Sequence, residues 1–140
     1  MQDPVIDLDR LHRLLPKVAA PWVLELDLHL LEARSGEVVM ALPVATKLVH
    51  GGGVLCGQAM MAAADTAMIL AIVTRLGEFK PMTTVQLQTS FLRGIAADAG
   101  EARVVARVLR FGRRLVFGEI EILDAQGELA AHATTTYMLL

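Results

Sequence analysis

Hydrophobic and polar residues follow two different periods along this chain, and each change of period marks a predicted element. After Asp3-Pro4, a pair typical of a helix start, apolar residues recur at helical spacing as far as Pro16, which is expected to end a short amphipathic helix. From Trp22 to Leu31 leucines alternate with mostly polar residues, and Val38 to Leu42 is a second apolar run. A period of two is typical of strands with one buried face, so these runs predict a hairpin.

A glycine-rich loop, His50 to Gly53, precedes the most apolar part of the sequence. The residues from Gly57 to Leu76 predict one long helix that ends at Gly77. Because this helix is apolar nearly all the way round, it lacks the polar stripe of a helix that faces water. Either a sheet curls around it, or a second protein layer covers its other face.

After the long helix the period returns to two, and four further strands are predicted. On the first of these, Val85, Leu87, Thr89 and Phe91 are expected to share one face. Short turns join the last three strands, which predicts an antiparallel meander. This order of helices and strands indicates one α+β domain over residues 1–140. The four strands are predicted over Thr83–Leu92, Glu101–Phe111, Leu115–Leu123 and Glu128–Leu139.

The composition limits where the hydrophobic residues of this domain can be buried. Of the 140 residues, 54% are hydrophobic, above the usual ~45–50%, which requires a membrane span, a deeply buried element or an oligomer interface. Asp65 in the middle of the long helix argues against a span, because a charge at the bilayer centre costs roughly 2.5–3.5 kcal/mol. The first fifteen residues mix acids and bases, unlike a secretory signal, so a cytoplasmic protein is expected.

Charge and cysteine content exclude several classes of function. A net charge of −2 argues against a nucleic-acid binder with a broad basic field, although it allows a small patch for an anionic ligand. Cys56 is the single cysteine, which excludes an intramolecular disulfide and a multi-cysteine metal site. The histidines lack metal-ligand spacing, so no metal is expected.

Asp65 and Gly57 are the most informative candidates for chemistry. The neighbours of Asp65 are small or apolar for two helical turns on each side, so its carboxylate must be paired, hydrogen-bonded or functional. Gly57 starts the same helix without a capping side chain before it, because Cys56 is a poor cap. Its backbone N–H either meets solvent or is available to polarise a substrate oxyanion.

The spacing of Gly57 and Asp65 limits how they could share a substrate. Eight residues at ~1.5 Å each place them about 12 Å apart along the helix axis, whereas reacting groups must lie within roughly 3–3.5 Å. Two copies of the helix packed antiparallel about a two-fold axis bring Gly57 of one chain opposite Asp65 of the other. If both residues act on one substrate, the chain must form at least a dimer.

A family resemblance rests on several spaced elements between Leu42 and Leu140. They are Gly57-x7-Asp65-Thr66-Ala67, the run from Thr84 to Arg93, Gly112-Arg113-Arg114, and the closing run from Gly127 to Tyr137. Together they resemble the PaaI-like hotdog-fold acyl-CoA thioesterases. The resemblance implies a curved antiparallel sheet wrapped around one long central helix, here with a short N-terminal helix, and a self-associating chain.

The chain departs from that family's core motif, which is His-Gly-Gly with a catalytic Asp nine residues after the His. In the register of Asp65, the motif is replaced by Cys56-Gly57-Gln58, so the glycine of the oxyanion hole is retained. His50 falls where many members of the family carry Asn. This departure indicates a subfamily with altered substrate preference or weaker activity.

The resemblance also implies roles for individual residues. Asp65 acts as general base on a water or as nucleophile on the thioester, and both remain open. Gly57 polarises the thioester carbonyl, Thr83 or Thr84 orients the water, and His50 lines the site unless it only stabilises its own loop. The arginines would meet the phosphates of coenzyme A, or are solvated surface charges. The expected substrate contacts are Cys56, Gln58, Met61, Phe91, Arg93, Arg113 and Arg114.

The sequence therefore predicts a thioesterase that hydrolyses an acyl-CoA to free acid and coenzyme A, with its active site at a dimer interface. Coenzyme A enters only as part of the substrate, and no cofactor, nucleic-acid partner or membrane partner is expected. The alternative is a non-catalytic hotdog protein that binds acyl-CoA or serves in assembly. The acyl group, and the choice between dimer and tetramer, stay open.

Overall fold

A computed structural model describes residues 7–140, with the elements in the order helix, hairpin, long helix and four strands. The helices are α1 (Leu8–Val18), α2 (Pro21–Leu24) and α3 (Gly57–Leu76), and a short 3₁₀ helix covers Thr46–Leu48. The strands are β1 (His29–Arg34), β2 (Glu37–Pro43), β3 (Met82–Phe91), β4 (Glu101–Phe111), β5 (Leu115–Leu123) and β6 (Leu129–Leu139).

The six strands form one antiparallel sheet in the order β1-β2-β4-β5-β6-β3. Helix α3 contacts all six strands, so the sheet wraps around it. Buried side chains on the inner face of the sheet, such as Met40, Leu42 and Ile120, pack with the helix to form the core. The predicted α+β hotdog fold and its C-terminal meander are confirmed.

Helix α3 begins and ends at the predicted residues. Gly77 ends it in the left-handed conformation, with φ of 83°, and its N–H donates to the carbonyl of Val73 at 2.8 Å. Glycine adopts this conformation without the steric cost that other residues incur. By length and composition α3 could cross a membrane, but 67% of its most apolar window is buried within the domain. Such burial is typical of the core helix of a globular fold.

The first helix differs from its prediction at the C-terminal end. The predicted start at Asp3-Pro4 lies outside the described residues, and the described part of α1 begins after Asp7, whose side chain accepts a 2.9 Å bond from the Arg10 N–H. Pro16 lies inside the helix rather than ending it. A proline in the last turn removes only one backbone donor, and burial of Leu15 holds that turn against the core.

The strand predicted from Trp22 to Leu31 is wrong for its first seven residues, since β1 begins at His29. Pro21 occupies the first position of the one-turn helix α2, a place that proline favours. Asp27 then adopts a positive φ of 60°, and β1 begins only at His29. Leu26 and Leu28 are nevertheless buried, so the leucine alternation reported burial and not strand structure.

Strand β3 contains a bulge between Thr84 and Gln86 in its pairing with β6. The predicted common face of β3 is therefore wrong for Val85, which is 54% exposed. A bulge adds one residue to a strand and shifts the alternation of side chains beyond it. As a result Thr84 and Leu87, three positions apart, both face the core side of the sheet.

Candidate active site

Asp65 lies on the one face of α3 that the sheet leaves partly open in the middle of the helix. On this face Gln58 is exposed and four residues are partly exposed, whereas the other residues between 58 and 74 are buried. The four are Met61, Ala62, Asp65 and Ile69. Their spacing of three or four residues makes them a single stripe along the helix. The residue that carries the candidate carboxylate is thus partly exposed, along a stripe of α3 that its own sheet does not fully cover.

Two hydroxyl groups from the sheet hold the Asp65 carboxylate. Thr84 Oγ1 donates to Oδ1 at 2.9 Å, and the Tyr137 hydroxyl donates to the same Oδ1. The Tyr137 oxygen is also 3.0 Å from the backbone carbonyl oxygen of Asp65. Thr84 and Tyr137 are direct partners on β3 and β6, so the sheet register fixes both donors. Among residues 7–140 no hydrogen bond reaches Oδ2, so this oxygen has no partner within the described part of the chain.

Tyr137 keeps its proton because of its surroundings. The side chain is only 1% exposed. Burial, followed by the negative charge of Asp65 and the hydrogen bond to it, raises the pKa of Tyr137 well above its ordinary value of 10.0. The hydroxyl is therefore a donor to Asp65 not only at neutral pH but also at alkaline pH above the ordinary pKa of 10.0.

The start of α3 has the uncapped geometry that the sequence predicts. Cys56 is the N-cap residue and its side chain makes no capping hydrogen bond, so the first N–H groups of the helix have no side-chain acceptor there. The ring of Phe91 packs against Gly57: a methyl group in place of one Gly57 hydrogen would lie 3.1 Å from the ring. Phe91 is 48% exposed, so it covers one side of the helix start from the surface.

Among the described residues, neither His50 nor Thr83 is hydrogen-bonded to the Asp65 carboxylate. The Nδ1 atom of His50 accepts a 2.8 Å bond from the Gly52 N–H, and the exposed ring thereby stabilises the glycine-rich loop. Thr83 is exposed on the opposite face of β3 from Thr84. Of the two candidate threonines, the structure brings Thr84 to Asp65.

The predicted phosphate-binding arginines occupy two separate places. Arg93 lies 4.0 Å from Asp124 and 3.7 Å from Glu128, so its charge is already balanced. Arg113 and Arg114 are exposed at the β4–β5 turn and line two adjoining surface cavities. Those cavities are also lined by Arg110, Lys80 and the last residue of α3, Leu76.

Tyr137 is the site residue that the sequence reasoning missed. In β6 the alternation of Ala131, Ala133, Thr135 and Tyr137 places a tyrosine on the core face. A buried tyrosine hydroxyl needs a partner, and Asp65 was the carboxylate expected in the apolar core. The expected pairing of these two side chains was the signal in the sequence that could have identified Tyr137. Among residues 7–140 there is no group of three His, Cys, Asp or Glu side chains that could hold a metal ion.

Comparison with known sequences finds a family and relatives that match more than half of the chain. The family model of the thioesterase superfamily matches residues 49–131, which include Gly57, Asp65 and Thr84. Two archaeal relatives are both named "Putative esterase". The one from Thermoplasma volcanium is 31% identical over 76% of this chain and 77% of its own length. The one from Saccharolobus solfataricus is 29% identical over 100% of this chain and 95% of its own length.

Solved structures give the same fold. The conserved protein PA5202 from Pseudomonas aeruginosa has a TM-score of 0.81 and 30% identity, over 89% of this chain and 98% of that one. Zebrafish thioesterase superfamily member 2 has a TM-score of 0.84 and 23% identity, over 96% of this chain and 99% of that one. The similarity to the zebrafish protein concerns the fold alone.

Proposed function

Because this chain belongs to the thioesterase superfamily, we propose that it hydrolyses acyl-CoA thioesters to a free carboxylic acid and coenzyme A. The observation that carries the proposal is the Asp65 carboxylate, clamped at Oδ1 by Thr84 and Tyr137 while Oδ2 has no partner among residues 7–140. A carboxylate fixed at one oxygen presents the other in a defined direction, as a general base or nucleophile requires.

The proposed reaction begins with attack on the thioester carbonyl carbon. Oδ2 of Asp65 either takes a proton from the attacking water or attacks the carbon itself and forms an anhydride that water then opens. In both routes the bond from carbon to sulfur breaks, and the sulfur leaves as the thiolate of coenzyme A and takes up a proton. The backbone N–H of Gly57, at the positive end of α3, stabilises the oxyanion.

The reaction requires a second copy of the chain, because Gly57 and Asp65 lie about 12 Å apart along α3. Strand β3 is at the edge of the sheet and pairs only with β6 among the described strands, so its other side offers free backbone groups. The partly open stripe of α3 defined above, from Gln58 to Ile69, is mostly apolar. Both features support a two-fold dimer joined at β3, in which the two stripes face each other.

The proposed site for the phosphates of coenzyme A is the basic cluster formed by Lys80, Arg110, Arg113 and Arg114. Arginine holds phosphate through paired hydrogen bonds. The cluster lies beside Leu76, eleven residues and about 16 Å along α3 from Asp65. This separation suits a ligand whose reacting thioester is joined to its phosphates by a long flexible arm.

A panel of acyl-CoAs tests the proposal by the release of free thiol. We expect saturable turnover of at least one member by the wild-type protein. Calorimetric binding of acyl-CoA without turnover would instead favour a binding or assembly protein. The observation that favours a binding or assembly protein is that Cys56 and Gln58 replace two residues of the family's core motif.

A further inference from the structure

Three cationic side chains of α1 border a surface cavity of about 240 Å³. Arg10, Arg13 and Lys17 follow one another at intervals of three and four residues, so they share one face of the helix. Leu11 and Leu15 are buried in the core and fix the rotation of α1, while the three cations are exposed. The fold therefore presents these positive charges together at one cavity.

The other wall of the cavity is the segment that follows α3. Glu78 and Phe79, which come directly after the helix end at Gly77, contribute to the lining together with Leu14 of α1. Phe79 is 40% exposed, so its ring offers apolar surface that the domain does not cover. The cavity thus combines positive charge with one aromatic side chain.

The charges of the lining do not cancel. Among the described residues, the three cations of α1 form no ion pair, either with Glu78 or with another carboxylate. Asp9, also on α1, lies outside the lining. Glu78 and the C-terminal end of α3, which is equivalent to about half a negative charge, oppose three full positive charges. The excess of positive charge favours an anion that carries more than one charge.

The cavity lies away from the proposed reaction. Helix α1 packs against β1, and β1 and β3 are the two opposite edges of the sheet. Asp65 is held by Thr84 of β3 and by Tyr137 of β6, and the proposed dimer is joined at β3. The basic cluster proposed for coenzyme A shares no residue with this lining. The cavity is therefore a separate feature of the fold.

The size of the cavity limits the anion. At roughly 30 Å³ for each non-hydrogen atom, the share of a water molecule in the liquid, 240 Å³ holds about eight such atoms, close to the size of a diphosphate group. Guanidinium groups hold phosphate oxygens through paired hydrogen bonds. We propose that this cavity binds the diphosphate group of a diphosphate ester, as a second ligand site separate from Asp65. The ring of Phe79 packs against the organic group that the diphosphate carries.

The test titrates inorganic diphosphate and ADP into the full chain by calorimetry, in the presence of saturating coenzyme A. Coenzyme A also carries a diphosphate, so its presence distinguishes a second ligand from the substrate of the proposed function. We expect saturable binding of both probes to the protein saturated with coenzyme A. Absence of that binding, or displacement of both probes by coenzyme A, would overturn the second site. Because the readout is binding, it does not depend on turnover of any acyl-CoA.

Two triple variants locate the binding. The first removes the cations of α1 and should weaken the binding of both probes at least about tenfold, since one exposed charge pair contributes up to about fivefold. Its changes are Arg10→Gln, Arg13→Gln and Lys17→Gln. The matched control removes the same charge at the proposed coenzyme A cluster and should leave both affinities within about twofold. Its changes are Arg110→Gln, Arg113→Gln and Arg114→Gln. All of these side chains are exposed, so both variants should fold. Equal losses in the two variants would assign the binding to net charge and overturn the site.

Phe79→Ala tests the contact with the organic group. The affinity for ADP should fall about fivefold or more, as expected for the loss of a stacked base, while the affinity for inorganic diphosphate should stay unchanged. An unchanged affinity for ADP would overturn the role of Phe79 in binding the ester.

Discussion

The hydroxyl group of Tyr137 donates a hydrogen bond to Oδ1 of Asp65, across 72 positions of sequence. This contact joins the last strand to the middle of α3 and makes the orientation of the candidate carboxylate depend on the register of the sheet. Thr84, the partner of Tyr137 in that register, reaches the same oxygen at 2.9 Å. The same contacts therefore stabilise the fold and orient the carboxylate of the proposed reaction. Variants of Tyr137 and Thr84 distinguish these two effects.

Tyr137→Phe removes one donor while conserving the volume of the side chain. A hydrogen bond to a charged group is worth about 1.5–3 kcal/mol, so kcat should fall roughly 10- to 150-fold. Because Tyr137 is buried and contacts Asp65, KM should change little. Steady-state kinetics on the preferred acyl-CoA measures both parameters. A kcat within twofold of wild type would show that the Tyr137 hydroxyl does not position the carboxylate.

Thr84 offers a pair of variants that differ by one hydroxyl. Thr84→Val removes the donor to Asp65, and kcat should fall by about tenfold or more. Thr84→Ser retains the hydroxyl and should keep kcat close to that of the wild-type protein. Equal losses in the two variants would assign the effect to packing on β3, since both change the side chain but only one removes the hydrogen bond.

The buried Tyr137 predicts a loss of stability at alkaline pH. Its pKa is raised in the folded chain, so the folded state retains a proton that the unfolded state releases above its ordinary pKa of 10.0. This contribution is complete below pH 10 and is lost as pH rises, by about 1.4 kcal/mol for each further pH unit. Denaturant unfolding between pH 8 and 11 measures it, with Tyr137→Phe as the control that lacks the decline.

The same titration has a direct spectroscopic readout. Tyr137 is the single tyrosine of the chain, so tyrosinate absorbance reports this residue alone. In the native protein the absorbance should not rise near pH 10, and in denaturant it should. A native titration midpoint near pH 10 would contradict the buried donor.

The proposed dimer is tested at the free edge of the sheet. The wild-type chain should sediment with at least twice its mass of 15.1 kDa. Val85→Asp places a charge on the edge strand β3 and should yield monomers with little activity, because Gly57 and Asp65 of one chain cannot share a substrate. Leu109→Asp is the matched control, at a residue of β4 that is 53% exposed. A fully active monomer would contradict the shared site.

The long helix and the meander were predictable because their residues repeat one period over many positions. Gly57 to Leu76 is apolar on every side and is bounded by glycines, so both ends of α3 were predicted correctly. The segment from Trp22 to Leu31 was not predicted correctly. Its alternating leucines are compatible with a strand, and equally with a one-turn helix followed by a turn that contains buried leucines. The local pattern of leucines does not distinguish the strand from the one-turn helix where Pro21 favours a helix start.

Some residues of the candidate site could be predicted from local sequence, and others could not. Asp65 and Gly57 could be named as candidates from the sequence because each is unusual for its own position in a helix. Tyr137 was missed, and the choice between Thr83 and Thr84 was left open, because both depend on sheet register. A single bulge between Thr84 and Gln86 decides which side chains of β3 face α3, and nothing in the local sequence specifies it.

The central claim is that Oδ2 of Asp65 performs the chemistry, and Asp65→Asn tests it most directly. Asparagine keeps the size of the side chain and an oxygen that accepts from Thr84 and Tyr137, so the variant should fold and bind acyl-CoA as the wild-type chain does. We predict that its kcat for the preferred acyl-CoA falls at least about hundredfold, as expected for loss of a general base or nucleophile. Thiol release by folded Asp65→Asn at a rate close to that of the wild-type protein would contradict the account.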